Sequence, residues 1–195
     1  MSQTFFALEE RDDVRIVRLR SEDGTNRLTR NCVVALTDTL RKLKRDQRAL
    51  IIVGNGKFFS AGADLEEIAA LNGPSAYEFS KLGQALMAEV EGFPAPVYAA
   101  ISGYCIGGGL DLALACHWRI AGPHAVFGHR GAALGLITGW GGTQRLPRLI
   151  GKGRALEIFL AAEKVTATGA LRIGLVDAIA QDPVAEAIAR LRSPD

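Results

Sequence analysis

The chain has 195 residues, of which 48% are hydrophobic and 23% are charged, and its formal net charge is +2 at pH 7. This length predicts one domain over residues 1–195 with a single sizeable core, and so mild a charge demands neither nucleic acid nor another acidic partner. Residues 1–13 carry several charges and no long apolar run, which excludes a signal peptide or a membrane span there and leads us to expect a cytoplasmic protein.

The pattern of apolar, glycine and proline residues predicts the following elements. In chain order they are a hairpin of strands 5–10 and 14–19, a helix 28–43, a strand 50–53, a helix opening at Asp64, a helix 77–92, a strand 97–101, a helix after Gly107, strands 118–121 and 125–127, an irregular segment 134–142, helices 143–150 and 154–162, a short helix opening at 165–168, a strand 175–180 and a helix 184–191. Strands followed by a helix recur along the chain, which predicts an α/β fold of repeated β-β-α units.

Two cues in the composition bear on redox chemistry and on nucleic acid. Cys32, Cys105 and Cys116 are odd in number and two of them lie in apolar surroundings, so we expect free thiols rather than disulfides. The basic residues between Arg41 and Arg48 have no aromatic residues among them. They predict a solvated helix face, and RNA binding there is the weakest of the hypotheses considered.

A glycine-rich turn is the first candidate for chemistry. Gly107, Gly108 and Gly109 stand between a predicted buried strand and an apolar helix, in a spacing that fits neither G-x-G-x-x-G nor a P-loop. A first helical turn offers unpaired N–H groups and partial positive charge, which together stabilise an oxyanion. Asp111 follows Gly108 by almost one turn, where its carboxylate can move a proton. The alternative is that the glycines only allow tight packing and the acid only suits the helix dipole.

A second turn of small residues leads into Asp64. Asp64 is a candidate N-cap, and Glu67 stands three positions later as in a capping box. This turn would also expose backbone N–H groups. If the turns at Asp64 and Gly107 face each other, they can hold one carbonyl oxygen from both sides.

These two turns and several later motifs resemble the enoyl-CoA hydratase/isomerase (crotonase) superfamily. The resemblance covers nearly the whole chain in the right order. It rests on residues 59–65, residues 101–109 with an acid two positions later, and residues 127–128, 134–136, 141–151 and 170–176.

The resemblance implies a crotonase-like spiral of repeated β-β-α units, with its C-terminal helical region shortened in this chain. It also implies an acyl-CoA thioester as substrate, with no other cofactor. By motif position, the amides of Ala63 and Gly108 would form the oxyanion hole, and Ala61 and its neighbours would lie against the adenine of coenzyme A. Backbone donors suffice for this chemistry, and the three histidines lack the partners of a metal site, so no metal is expected.

The sequence departs from hydratases of this family at both catalytic acids. Two glutamates flank the reacting carbons in those enzymes. The first falls at Asp111, one methylene shorter, and the second falls at Gly131, which holds no proton. We therefore expect isomerisation of a double bond by one carboxylate rather than hydration. The alternatives are hydration with one acid and an acyl-CoA-binding protein without efficient catalysis.

Other substitutions surround the same position. His129 and Arg130 precede Gly131 and are candidates for a general acid or for binding an anionic acyl group, with a plain loop role as the alternative. Thr138 and Trp140 are expected to line the pocket, although a tryptophan there can simply pack. The residues assigned to substrate binding are Arg27, Ala61, Asp64, Leu65, Gly107, His129, Arg130, Gly131, Thr138 and Trp140.

Two further departures concern the periphery. Arg27 replaces a small residue and either meets a phosphate of coenzyme A or lies in water, while His117 replaces an acid and has the character of a structural substitution. Relatives continue through further helices that cover the pocket and build trimers. The resemblance therefore implies a homo-oligomer, a trimer or hexamer, but the shorter C-terminal part makes this a weaker expectation.

Overall fold

The computed structural model describes residues 5–11 and 13–192. The strands are β1 Phe6–Arg11, β2 Val14–Leu19, β3 Leu50–Val53, β4 Phe58–Ser60, β5 Val97–Ile101, β6 Tyr104–Ile106, β7 Trp118–Ala121, β8 Val126–Gly128, β9 Val165–Thr166 and β10 Ala178–Ile179. The helices are α1 Arg30–Leu43, α2 Leu65–Ala69, α3 Gly73–Glu91, α4 Gly108–Ala115, α5 Gly142–Ile150, α6 Lys152–Ala161, α7 Ala167–Arg172 and α8 Pro183–Arg192. Short 3-10 helices lie at Lys44–Asp46 and Gly131–Leu134.

The strands form two sheets. One has six strands in the order β1-β2-β3-β5-β7-β10 and the other has four in the order β4-β6-β8-β9. Pairing is parallel except between β1 and β2 and between β8 and β9. The central repeats each contribute one strand to each sheet before the chain turns into a helix, as in β3-β4-α2 and β5-β6-α4, whereas β1 and β2 of the first repeat both lie in the larger sheet. The predicted β-β-α repetition is therefore confirmed as a spiral.

The central strands of the larger sheet are buried on both faces, which explains the continuous apolar runs of β3 and β5. One face packs against α1, α3 and α4 through residues such as Leu40, Leu86 and Leu110. The other face packs against α8, where Ile188 contacts a smaller cluster that includes Ile51. The repeats are thus fixed to one another by apolar layers on both sides.

The smaller sheet brings the two turns of the sequence analysis together. β4 pairs in parallel with β6, and the carboxyl ends of parallel neighbours meet at the same sheet edge. The turn that follows β4 and the turn that follows β6 both leave from this edge. Residues distant in sequence are therefore neighbours in space.

Several predicted elements differ from the structure for local reasons. β6 was not predicted because it has three residues between Gly103 and Gly107, both with positive φ, too few to show a period. Helix α3 begins at Gly73 rather than at residue 77, since Asn72 and Ser75 form a capping box. The predicted strand 175–180 is reduced to β10.

The capping box predicted at Asp64 is wrong in one half. The carboxylate of Asp64 accepts from the backbone N–H groups of Glu66 and Glu67, as an N-cap does. The carboxylate of Glu67 does not return to the cap. It accepts instead from the backbone N–H of Arg30 at 2.7 Å, which ties α2 to the start of α1.

The basic run 41–48, which begins at the end of α1 and continues past the 3-10 helix Lys44–Asp46, is largely matched by acids. Arg41 and Lys44 both pair with Glu89, and Arg48 pairs with Glu10. This supports a solvated helix face over an RNA site. No helix among the described residues has the length and apolarity to cross a membrane.

The three cysteines are free and buried. Burial raises the pKa of the Cys32 and Cys116 thiols to about 12 and raises that of Cys105 well above its usual value. The thiolate forms are therefore suppressed at neutral pH, which accords with the expectation of unpaired structural thiols.

Candidate active site

The turns after β4 and β6 lie against each other at the edge of the smaller sheet. A methyl carbon on Gly62 would lie 3.0 Å from the amide nitrogen of Gly108, and one on Gly108 would lie 3.2 Å from the amide nitrogen of Ala63. The Ala63 and Gly108 backbones are therefore in close contact. Gly62 has φ of +93°, a conformation that favours glycine.

Within the described part of the chain, neither of these two amide N–H groups donates a hydrogen bond to a protein acceptor. In the parallel bridge between Leu28 and Ala63, the N–H of Leu28 donates to the carbonyl of Gly62 at 2.8 Å, so the N–H of Ala63 is not part of that bond. Helix α4 begins at Gly108 with Gly107 as N-cap and no side-chain cap. Its first N–H groups have no intrahelical partner and carry the positive end of the helix dipole.

A cavity of about 530 Å³ opens in front of these amides. Its walls include most of the predicted site residues, whose shared feature is a position around the ends of β4, β6 and β8. They are Ala61, Ala63, Leu65, Gly107, Gly108, Asp111, His129, Arg130, Gly131, Thr138 and Trp140. Other walls are apolar side chains of α2, of α3 and the segment between them, of the 3-10 helix Gly131–Leu134 and of the segment before α5, namely Ile68, Leu71, Phe79, Leu134, Leu136 and Ile137.

Asp111 is the carboxylate that lines this cavity. It lies in the first turn of α4 and is 1% exposed. Nε2 of His129 lies 3.0 Å from its Oδ1, and the hydroxyl of Thr138 donates to its Oδ2. Because an unpartnered buried carboxylate would be strongly destabilising, these two contacts satisfy a physical requirement of the site.

Trp140 forms an inner wall. Its side chain is 3% exposed, and its indole N–H donates to the carbonyl of Phe79 at 3.2 Å. A methyl carbon on Gly108 would lie 2.6 Å from the indole ring, so the tryptophan packs directly against the turn that carries that amide. Trp140 thus lines the cavity and also packs against this turn.

Gly131 lies in the cavity wall. Its carbonyl accepts from the N–H of Leu136 at 2.9 Å, and a methyl carbon on it would lie 2.7 Å from the Leu136 carbonyl oxygen. A side chain at position 131 would therefore point at the backbone of Leu136 rather than into open space. Arg130 beside it is exposed at the cavity rim.

Arg27 and Asp64 depart from the other predicted site residues. They line a second cavity of about 370 Å³ and pair with each other at 3.3 Å, while Arg27 also pairs with Asp23 at 2.8 Å. The backbone N–H of Glu67, together with Arg27, lowers the pKa of Asp64. The Arg27 guanidinium thus pairs with two carboxylates at the wall of this second cavity.

His117 lies outside both cavities. The N–H of Val97 donates to its Nδ1 at 2.9 Å, and its Nε2 lies 3.0 Å from the carbonyl of Glu91. These bonds join the end of α3 to the start of β5, a structural role. Among the described residues, no three His, Cys, Asp or Glu side chains are grouped so that they could hold a metal ion.

Phe79 of α3 and Gly142 border the site without having been predicted as site residues. Phe79 lines the cavity from α3, but one aromatic residue in an amphipathic helix gives no such signal. Gly142 borders Asp111 and His129. The Gly141-Gly142 pair is a sequence signal for close approach of another group to the backbone, although above it supports only the family resemblance.

Comparison with known proteins identifies the family of the chain. The family described as enoyl-CoA hydratase/isomerase matches residues 9–192. The chain belongs to the enoyl-CoA hydratase/isomerase family. The resemblance drawn from the two turns and the later motifs is thereby confirmed.

Individual relatives of this family cover most of the chain. A probable enoyl-CoA hydratase of Bacillus subtilis is 43% identical over 160 residues, which are 80% of this chain and 62% of the relative. A crotonyl-CoA hydratase of Syntrophomonas wolfei is 37% identical over 177 residues, 89% of this chain and 68% of the relative. The chain thus spans about two thirds of the length of these two relatives.

The crotonase fold is shared with solved structures. An enoyl-CoA hydratase of Thermoplasma volcanium superposes with a TM-score of 0.91 at 33% identity, covering 96% of this chain and 76% of that one. This likeness confirms the predicted fold class, an α/β spiral of the crotonase type.

Proposed function

We propose that the protein is an acyl-CoA enzyme that stabilises an enolate and moves a double bond within the acyl chain. The amides of Ala63 and Gly108 bind the thioester oxygen, and Asp111 transfers the proton. The single observation that carries this proposal is the placement of a buried carboxylate in the same cavity as two adjacent backbone amides that have no acceptor among the described residues.

The proposed oxyanion hole acts on charge that develops during the reaction. As a proton leaves the α-carbon, negative charge moves to the thioester oxygen. Two neutral amides stabilise it, one of them at the positive end of α4, and losing one such donor costs on the order of 3 kcal/mol of transition-state stabilisation. Since backbone N–H groups supply this effect, we propose no cofactor beyond the substrate's own coenzyme A.

The proton transfer balances with one carboxylate. Asp111 takes a proton from the α-carbon of a 3-enoyl thioester, and the C–H electron pair spreads into the dienolate. The protonated Asp111 then returns the proton to the γ-carbon, which leaves a conjugated 2-enoyl thioester and restores the carboxylate. No second acid is consumed, which suits a site where Gly131 carries no side chain.

Hydration is the second candidate, and the relatives favour it by name. It requires a base for water and an acid for the α-carbon, two groups that a pair of glutamates supplies elsewhere in the family. Here Asp111 is one methylene shorter, by roughly 1.3 to 1.5 Å, and displacements of about 1 Å can cost ~100-fold in rate. Hydration would have to proceed with one acid in place of two. Isomerisation needs only one acid, and we therefore prefer it.

The apolar walls support an acyl chain as the group bound in the cavity. Leu65, Leu71 and Phe79 face it from α2, α3 and the segment between them, and Leu136 and Ile137 face it from the segment before α5. An apolar lining with a few convergent polar groups is typical of small-molecule sites.

The test is a substrate panel with the variant Asp111→Asn. Purified protein is given 3-enoyl-CoA and 2-enoyl-CoA esters of several lengths, and the conjugated thioester is followed by absorbance. We expect 3-enoyl esters to be converted faster than 2-enoyl esters are hydrated. Asp111→Asn should lose at least ~100-fold in turnover while calorimetry shows ester binding within about threefold of the parent.

Three results would change the proposal. Faster hydration than isomerisation would reverse the order of the two candidate reactions. Unchanged turnover in Asp111→Asn would remove this residue from the chemistry. Ester binding without turnover on any substrate would leave an acyl-CoA-binding protein as the function.

A further inference from the structure

Asp111 is held at both oxygens by side chains from two other segments. Nε2 of His129, which follows β8, lies 3.0 Å from Oδ1, and the hydroxyl of Thr138, in the segment before α5, donates to Oδ2. Within the described residues, His129 is the one basic side chain in ion-pair range of Asp111. The carboxylate therefore depends on these two neighbours for its position.

The donors are themselves fixed. His129 is 4% exposed, and its ring lies 5.2 Å from the ring of Phe159 on α6. The Thr138 oxygen is 3.4 Å from the backbone N–H of Trp140, from which it accepts. Since that oxygen already accepts a hydrogen bond, its own hydrogen is free to be directed at Asp111. The carboxylate of Asp111 thus lies between two side chains, His129 and Thr138, that are themselves held in place.

We propose that His129 and Thr138 are positioning residues that keep the carboxylate of Asp111 aimed at the reacting carbons. This inference rests on the function proposed above, in which Asp111 transfers the proton. Each carboxylate oxygen has two acceptor sites, so one bond to His129 or Thr138 leaves another site open for the substrate proton.

The arrangement answers the departure from the two-glutamate pattern. A shorter acid can adjust its reach less, and its placement is set by the helix that bears it. Fixing both oxygens removes the rotation that would take the carboxylate out of line, and rate is sensitive to misplacement of about 1 Å. His129 and Thr138 thereby supply a rigidity that a purely packed neighbour would not.

The experiment compares loss and retention of each donor. His129→Leu and Thr138→Val remove the donors with little change in volume. His129→Gln keeps a donor, because the glutamine amide nitrogen takes about the place of Nε2, and Thr138→Ser keeps the hydroxyl. Turnover of 3-enoyl-CoA is measured as kcat and KM separately, with Asp111→Asn in parallel and circular dichroism as the check on folding.

We expect His129→Leu and Thr138→Val each to lower kcat by roughly 10- to 100-fold, with KM within about threefold because the ester still binds. His129→Gln and Thr138→Ser should recover kcat to within about fivefold of the parent. A purely structural role would reduce the amount of folded protein without dividing the donor-retaining from the donor-free variants in this way.

The outcomes separate the two proposals. Parent-like kcat in both donor-free variants, with Asp111→Asn inactive, overturns the positioning role and leaves the proposed function intact. An equal loss of kcat in His129→Leu and His129→Gln also overturns the positioning role of His129. In that case, or if His129→Leu does not fold, the kcat of Thr138→Val decides whether Thr138 has the role. Full activity of Asp111→Asn, or a parent protein without turnover, overturns the proposed function and the positioning role with it.

Discussion

Gly142 lies so close to Asp111 that a methyl group on the glycine would overlap the Oδ1 oxygen of the aspartate. The same methyl carbon would lie 2.9 Å from Cγ2 of Thr138 and 3.0 Å from Nε2 of His129. Gly142 begins α5 and is buried. The first turn of α5 therefore shapes the space in which Asp111 meets its two partners, through the absence of a side chain.

Gly142→Ala is expected to lower turnover of the acyl-CoA substrate by about 10-fold or more, because it displaces Asp111 by a sizeable fraction of 1 Å. Glycine φ is not the cause, since Gly142 does not have a positive φ. Steady-state kinetics check the prediction. Gly153→Ala in α6, where a methyl group meets no atom within 4 Å, serves as the matched control and should keep parent-like kinetics.

Much of the fold could be predicted from local sequence. The apolar runs of β3 and β5 and the periodicity of α1 give their positions within one or two residues, since burial on both faces or on one face leaves a plain pattern. β6 escaped prediction because three residues between glycines show no period. The 3-10 helix at Gly131–Leu134 lies in a segment whose shape depends on tertiary contacts.

The candidate site was predictable where backbone geometry demands a residue type. The small residues at Ala61 to Ala63 and at Gly107 to Gly109 predicted two turns that allow close backbone approach. The structure places these two turns next to each other. The partners of Asp111 could not be read in the same way. His129 and Thr138 reach Asp111 from separate segments. Their contact depends on how α4, β8 and the segment before α5 pack together in three dimensions, which the pattern of residues along the sequence does not show.

Gly83→Ala is expected to destabilise the protein although alanine favours helices. Gly83 lies within α3, and a methyl group on it would overlap the indole of Trp140. The propensity gain of up to ~1 kcal/mol is smaller than the overpacking penalty of about 1 to 3 kcal/mol. Urea unfolding followed by tryptophan fluorescence measures the difference.

Gly73→Ala is the control for this change, because Gly73 is on the same helix and a methyl group there meets no atom within 4 Å. Its stability should equal or slightly exceed that of the parent. A Gly83→Ala protein as stable as Gly73→Ala would mean that Trp140 moves aside freely and is not a fixed wall of the cavity.

His117→Ala is expected to lower the free energy of unfolding by about 1 to 3 kcal/mol, since it leaves the N–H of Val97 and the carbonyl of Glu91 without their partner. Turnover per folded molecule should not change, because the residue lies outside the cavity. His124→Ala, at an exposed position, is the comparison and should stay within about 0.5 kcal/mol of the parent. A matching loss in turnover at full folding would contradict the structural role of His117.

Asp23 makes the loop before α1 sensitive to acid. The backbone N–H of Thr25, helped by the hydroxyls of Ser21 and Thr25 and by Arg27, lowers the pKa of this carboxyl to about 2. The unfolded chain has a pKa near 3.9 for aspartate. A depressed folded-state pKa means that the stabilisation is fully present above about pH 4 and is lost as the pH falls toward 2.

Asp23→Asn should therefore be less stable than the parent at pH 7, and the two unfolding free energies should converge as the pH falls from about 4 to 2. Denaturant unfolding at a series of pH values measures this difference, with Glu22→Gln as a control for the loss of one neighbouring exposed charge. The Glu22→Gln difference should not follow the same curve. A gap between parent and Asp23→Asn that stays constant from pH 7 to pH 2 would show that the carboxylate form is not what orders this loop.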